Sequence, residues 1–274
     1  MTGDFELKDK YNLSDAVDLV KLLRDPVKGC DWDKVQTHRS IRNNFIEEVY
    51  EACDCIDRDD SECLLEELGD VLLQVLLHAE IERQLGGFDI DEVSDYLIKK
   101  LIARHPHIFS DDVVENKEEV LVNWEKLKRR EKGQKSGTDS IMDVPKAYPA
   151  LIKSEKYQKR AAYVGFDYPG AEWAFSDLVS EVSELEERIE TGAEKDGLEE
   201  EIGDVIFSAV NVARFYDIDA EHAAQKSAER FAERFRLVEK FAAEEGVELK
   251  TGDINRLNEL WSKAKNALDC RNIK

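Results

Sequence analysis

"LLEELGDVLLQVLLHAEI", residues 64–81, is the stretch from which the fold can be read. Leu65, Leu68, Leu72, Val75 and Ala79 recur at helical spacing, and Leu64, Val71 and Leu76 widen that face, which predicts a heavily buried helix. No alternating strand pattern competes, and the chain has only five prolines. The same stretch then returns. "LLEELGDVLLQVLLHA" at 64–79 aligns with "LEEEIGDVIFSAVNVA" at 198–213, matching Glu67 to Glu201, Gly69 to Gly203, Asp70 to Asp204 and Ala79 to Ala213.

The preceding helix is duplicated as well. "FIEEVYEACDCI" at 45–56 aligns with "LVSEVSELEERI" at 178–189, matching Glu48 to Glu181, Val49 to Val182, Glu51 to Glu184 and Ile56 to Ile189. Beside these acids, Ile46, Val49, Tyr50 and Cys53 look made for burial. Later pieces recur in order: "DID" at 89–91 and 217–219, a basic pair four apart (Lys100 and Arg104; Arg230 and Arg234), and Trp followed four later by Lys (Trp124 and Lys128; Trp261 and Lys265). Two copies at this period predict an all-α chain of two tandem helical-bundle domains, 1–130 and 148–274. The stretch 131–147, rich in Gly, Ser, Lys and Pro, reads as their linker.

Sixty-one acidic against 39 basic residues give a net charge of −22, which opposes non-specific binding to nucleic acid or anionic membrane. The longest apolar run, "VLLQVLLHA", is far shorter than the roughly 20 residues of a membrane span. The start "MTGDFELKDK" carries no targeting pattern, so residence in the cytoplasm is expected. Cys30, Cys53, Cys55, Cys63 and Cys270 are odd in number and lack CxxC spacing, which argues for a reducing compartment. Cys53 and Cys55 point about 200° apart on a helix and read as core or boundary residues.

Each copy thus carries E-x-x-E on one helix and E-x-x-D on the next. Acids three apart share a helix face with Cβ atoms roughly 5–6 Å apart and repel. The short connectors "DRDDSE" and "TGAEKDG" let the helices pack antiparallel and bring four carboxylates together. Such a group needs a cation, and the hard ions Mg²⁺ and Mn²⁺ suit carboxylate oxygens. A di-iron site would need His in a Glu-x-x-His motif, and neither copy has it. Gly69 and Gly203 cost about 1 kcal/mol each in a helix interior relative to Ala; a close helix crossing accounts for them, and room for a ligand is the alternative. Trp32, Trp124, Trp261 and Tyr168 can either be buried or stack on a base.

"LRDPVKGCDWDKVQTHRSIRNNFIEEVYEA", "EELGDVLLQVLLHAEI", "RHPHIF", "KYQKRAAYVGFDYP" and "EEIGDVIFSAVNVARF" together resemble the MazG family of nucleoside triphosphate pyrophosphohydrolases, from about residue 11 to 265. The resemblance implies MazG-like helical domains assembled as a homodimer. It also implies Mg²⁺-dependent cleavage of NTP and dNTP to monophosphate and pyrophosphate, with Mn²⁺ as a substitute. By the family pattern Glu48, Glu51, Glu67 and Asp70 would be the catalytic metal ligands of the first copy, and Glu181, Glu184, Glu201 and Asp204 those of the second. Arg230, Arg234 and Trp261 match the family's nucleotide contacts, with Lys100, Arg104 and Trp124 as internal counterparts; the recurring Lys128 and Lys265 are counted with them.

Two departures stand out. Asp31 replaces the usual proline of "GCPWD", which would loosen the loop near a possible base pocket. Asp177 lies four residues before Glu181 where Lys is common, and an acid there would weaken triphosphate binding. The second copy's basic pair lies inside a long helix, which points to that copy as the main site; Asp177 points the other way. A base-selective dUTP or dCTP pyrophosphatase of the same superfamily and a catalytically silent metal-binding helical dimer are the alternatives.

Overall fold

The computed structural model describes residues 5–109, 124, 127–250 and 253–269. The described residues are helices joined by turns and loops, with a short 3₁₀ turn at Asp33–Val35 between the first two helices, and the chain divides into two compact units, Met1–Lys128 and Arg129–Lys274. Cys270 lies outside the described residues.

The first unit contains α1 (Leu13–Leu23), α2 (Arg42–Asp57), α3 (Ser61–Leu85), α4 (Ile90–Arg104) and the short α5 (Pro106–Phe109). Local chemistry sets their ends. Asn12 caps α1 in a capping box with Asp15, Asp60 accepts from Cys63 N at the start of α3, and Asp89 forms a box with Glu92 on α4. The two "DID" copies each lead into a helix but cap it with different members: the first Asp, Asp89, in the first copy and the last, Asp219, in the second. The turn between α2 and α3 passes through Asp59 at φ 53°, and the second unit has Gly192 at φ 71° at the matching place.

Helix α3 packs antiparallel on α2 and also meets α1 and α4. Its C-terminal half makes the core, where Leu76, Leu77 and Ile81 close on Val20 and Ile41. Each such side chain contributes roughly 1.5–3 kcal/mol relative to exposure. Its N-terminal half does not follow the expectation of a heavily buried helix. Leu65 is 76% exposed, and Leu68 and Leu72 are exposed too, as are Ile46, Val49, Tyr50 and Cys53 on α2. One α2 covers only one side of this half of α3, so helical periodicity identified an apolar face without a partner among the described residues of its unit.

The second unit contains α6 (Gly137–Met142), α7 (Ala150–Tyr163), α8 (Ala171–Glu190), α9 (Lys195–Phe215), α10 (Ala220–Glu244) and α11 (Ile254–Asp269). Helices α8 and α9 form the counterpart of the α2–α3 hairpin, and α7 packs on α9 and α10. Leu237, Val238 and Ala242 of α10 close on Leu260 and Ala264 of α11. Part of 131–147 belongs to this unit's packing rather than to a free linker. Ser136 and Asp139 form a capping box on α6, Ser140 and Val144 are buried, and Arg160 of α7 donates to the Ser140 carbonyl.

Candidate metal and nucleotide site

The two hairpins gather their acids as the spacing requires. In the first, Glu48 and Glu51 of α2 meet Glu67 of α3, and one carboxylate oxygen from each lies within 4.8 Å of the others. In the second, Glu181 and Glu184 of α8 meet Glu201 of α9 within the same distance. Asp70 and Asp204 stand outside these triplets, yet the charge of each raises the pKa of the neighbouring Glu48 or Glu181.

Partial burial and mutual repulsion leave their mark on the titration of these groups. Desolvation, then the charges of Asp70 and Glu51, raises Glu48 above the usual 4.5. Desolvation followed by Glu51 and Asp70 does the same to Glu67, and desolvation followed by Glu184 and Asp204 to Glu181. Glu67 Oε2 is buried without a hydrogen-bond partner among the described residues. An orphaned carboxylate oxygen inside an all-oxygen donor set fits a hard divalent cation.

The copies differ in what surrounds their acids. Gln74 Nε2 approaches Glu48 Oε1 at 3.4 Å in the first. In the second, Arg188 Nε donates to Glu201 Oε1 at 3.0 Å, and Ser180 Oγ donates to Glu184 Oε1 at 3.3 Å. None of Gln74, Arg188 or Ser180 stood out in the sequence, although Arg188 is four residues beyond Glu184 and so on its face.

Gly69 and Gly203 do not mark a close helix crossing. A Cβ built on either meets nothing within 4 Å, so both face open space next to the acids. Asp177, an acid expected to weaken triphosphate binding, is held by two hydroxyls: Tyr168 Oη and Ser208 Oγ each donate to it at 2.8 Å. It lines a cavity of about 480 Å³ with Phe166, Tyr168, Phe207, Gln158 and Asn211. Gln158 gives its Nε2 to the Phe207 carbonyl at 2.9 Å and leaves its buried Oε1 unpartnered among the described residues. Asp31 pairs with Lys34 at 2.5 Å, while Trp32 beside it is exposed.

The expected cationic contacts form their own pairs with aromatic rings. The Arg104 guanidinium lies 5.4 Å from the Trp124 ring and that of Arg234 5.9 Å from the Trp261 ring, so the recurrence of basic residue and tryptophan is a recurrence of contact. Lys100 lies over Tyr96, and Trp261 also packs on Phe231. Arg234 Nε is buried without a hydrogen-bond partner among the described residues. Arg230 and Lys265 are exposed, and Lys128 is half-buried. His78 stacks on His38 at 5.0 Å with the two Nδ1 atoms 2.7 Å apart, and burial lowers its pKa.

Cys55 and Cys63 form a disulfide, whereas their spacing in the sequence suggested unpaired thiols. The hairpin turn carries them face to face at the ends of α2 and α3. Cys55 is buried, as a core reading required, while Cys53 and Cys30 are free and exposed.

The family model for the MazG nucleotide pyrophosphohydrolase domain matches residues 36–109 and 172–238, which hold both acid-bearing hairpins. The chain is 40% identical over 248 residues to the nucleoside triphosphate pyrophosphohydrolase of Escherichia coli strain K12, spanning 90% of this chain and 94% of that relative. It is 39% identical over 251 residues to the nucleoside triphosphate pyrophosphohydrolase/pyrophosphatase MazG of Thermotoga maritima, spanning 92% and 94%. A Bacillus subtilis protein, YabN, is 43% identical over 248 residues, which make up 50% of its length. Among the described residues no helix is long and apolar enough to cross a membrane.

Proposed function

The chain belongs to the MazG nucleotide pyrophosphohydrolase family, and from that premise we propose that it hydrolyses nucleoside triphosphates, NTP and dNTP alike, to the monophosphate and pyrophosphate by attack at the α-phosphorus. The observation that carries this reading is the pair of hairpins, each bringing three glutamates within 4.8 Å. Glu48, Glu51, Glu67 and Asp70 would hold Mg²⁺, or Mn²⁺ in its place, in the first copy; Glu181, Glu184, Glu201 and Asp204 would hold it in the second. When bound, such an ion offsets carboxylate repulsion and makes a coordinated water more acidic.

The chain's own groups supply the rest. A carboxylate of the set would accept the proton of the attacking water. Arg230 and Arg234 would offset the charge of the phosphates in the second copy, as Lys100 and Arg104 would in the first, and Lys265 and Lys128 would add positive charge to each in turn. Trp124 and Trp261 would flank the nucleotide while stacking on their arginines. The cavity beside Asp177 would seat the base, with Gln158 Oε1 and Asn211 as polar readers on apolar walls. That cavity also supports a narrower, base-selective dUTP or dCTP pyrophosphatase, since its amides could favour one base edge.

The exposed apolar face formed by Leu65, Leu68 and Leu72, with Val182, Ile202 and Ile206 in the second copy, supports assembly as a homodimer that covers it. The reading places the protein in the cytoplasm, clearing nucleotide pools.

Separating the products of ATP and dUTP after incubation with and without Mg²⁺ tests the reaction. Monophosphate and pyrophosphate formed only with metal support it, and comparable rates on the two exclude strict base selection. Diphosphate with orthophosphate would move the attack to the γ-phosphorus and overturn it. No product at all would favour a catalytically silent metal-binding dimer.

A further inference from the structure

The two hairpins are held at their turn ends by different chemistry. Cys55 is the third residue from the end of α2 and Cys63 the third residue of α3. At the corresponding places the second copy has Arg188 and Gly197. Where the first copy has a bond between sulfurs, the second has the ion pair from Arg188 to Glu201.

Each sulfur is also one helical turn from a proposed metal ligand: Glu51 lies four residues before Cys55, and Glu67 four residues after Cys63. Glu67 groups with both sulfurs within 4.8 Å. Arg58, in the turn itself, donates Nη2 toward Cys63 Sγ at 3.1 Å and Cys55 Sγ at 3.7 Å. The Cα atoms are 5.6 Å apart, a separation that suits a disulfide without moving either helix.

We propose that Cys55 and Cys63 are a reversible dithiol–disulfide site that clamps the acid-bearing hairpin of the first copy, leaving the second copy without redox control. The consequence for metal binding rests on the reading of the acids given above; the clamp does not. Cys55 is 1% exposed and Cys63 half-buried, so an attacking thiolate reaches Cys63. A small dithiol attacks Cys63 Sγ, the Cys63–Cys55 bond breaks, and Cys55 leaves as a thiolate that takes a proton. The second thiol of the reagent then attacks the mixed disulfide, frees Cys63 and closes the reagent into its own disulfide, having supplied both electrons. A small-molecule disulfide such as oxidised glutathione drives the reverse exchange.

The full-length chain is equilibrated with oxidised glutathione or with dithiothreitol, and thiols are trapped by alkylation for mass analysis. Amide hydrogen exchange is followed over residues 51–67 and 184–201. Cys55 and Cys63 should resist alkylation after oxidation and accept it after reduction. Exchange at 51–67 should be slower in the oxidised form by on the order of tenfold, with 184–201 unchanged. A Cys55→Ser/Cys63→Ser chain should stay at the fast rate under both reagents, and the two redox states of the natural chain supply the comparison even where that variant folds poorly. Equal alkylation under both reagents, or exchange at 51–67 indifferent to the bond, overturns the proposal.

Mn²⁺ titration of the Glu181→Gln/Glu184→Gln chain judges the metal reading separately. Tighter binding in the oxidised state supports both ideas. Absence of Mn²⁺ binding in either state strikes the metal reading and leaves the clamp to the exchange data.

Discussion

Arg188 Nε donates to Glu201 Oε1 at 3.0 Å, and the first-copy position matching Arg188 is Cys55. Glu201 is thus a buried acid with a resident cation, while Glu67, its counterpart, keeps an unpartnered oxygen. Removing the guanidinium leaves Glu201 buried among acids. Arg188→Ala should lower the stability of the metal-free protein by about 1–2 kcal/mol, a figure reduced for the half-exposed arginine. Saturating Mn²⁺ should restore much of that loss. Thermal unfolding with chelator and with Mn²⁺ checks this, and an unchanged midpoint in chelator would show that the pair compensates nothing.

Substituting one oxygen in each acid set tests the site assignment. Glu48→Gln/Glu181→Gln should keep its helical circular dichroism and lose pyrophosphate release by on the order of a hundredfold or more. Full activity in the double variant would remove these acids from the chemistry.

The raised acids also set a dependence on pH. A glutamate held above 4.5 in the folded state binds its proton more tightly there than in the unfolded chain. Its stabilising contribution is complete below 4.5 and disappears as pH rises through its folded value. Glu48, Glu67 and Glu181 should therefore take stability from the metal-free protein on going from about pH 4.5 toward neutrality, His78, lowered by burial, acts in the opposite direction below 6.5, and Mg²⁺ should flatten the glutamates' share of the slope. Asp15, Asp25, Asp139 and Asp143 are lowered below the usual 3.8; they lose their contribution only at still lower pH, outside this window. Melting curves from pH 4 upward, with and without metal, read the slope. A metal-free slope that does not lessen in Glu48→Gln/Glu181→Gln would place its origin elsewhere.

Gly203→Ala separates helix preference from the need for space. The new methyl meets nothing within 4 Å, so the helix should gain about 1 kcal/mol. Turnover should fall, because the open space beside Asp204 is where a nucleotide would lie. A higher melting temperature with unaltered turnover would mean that the space goes unused.

Arg234→Gln removes a cation from the Trp261 ring while leaving the α10–α11 core intact. The expected result is a KM for nucleoside triphosphate raised about tenfold with little change in melting temperature. A KM equal to that of the natural chain would confine Arg234 to a packing role.

Much of the candidate site's grouping of acids was legible because it is written in local spacing. Glu48 and Glu51 share a face whatever surrounds them, and "EELGD" in the first copy and "EEIGD" in the second put Glu67 and Glu201 on the facing helix. Arg188 was hidden in an acidic, charged helix where nothing local separates a site residue from a solvated one. Cys55 and Cys63 were hidden because their meeting depends on the Asp59 turn.

By itself the sequence determined the helices, their caps, the duplication and the pairing of acids across each hairpin, since these follow from periodicity and from short-range hydrogen bonding. Tertiary structure decided which apolar residues were buried, so Leu77 entered the core while Leu65 stayed exposed on the same helix. It also decided that Asp177 is held by Tyr168 and Ser208, and that one hairpin is closed by sulfur and the other by an ion pair. Those outcomes depend on which helix lies opposite, and helical period specifies a face without specifying its partner.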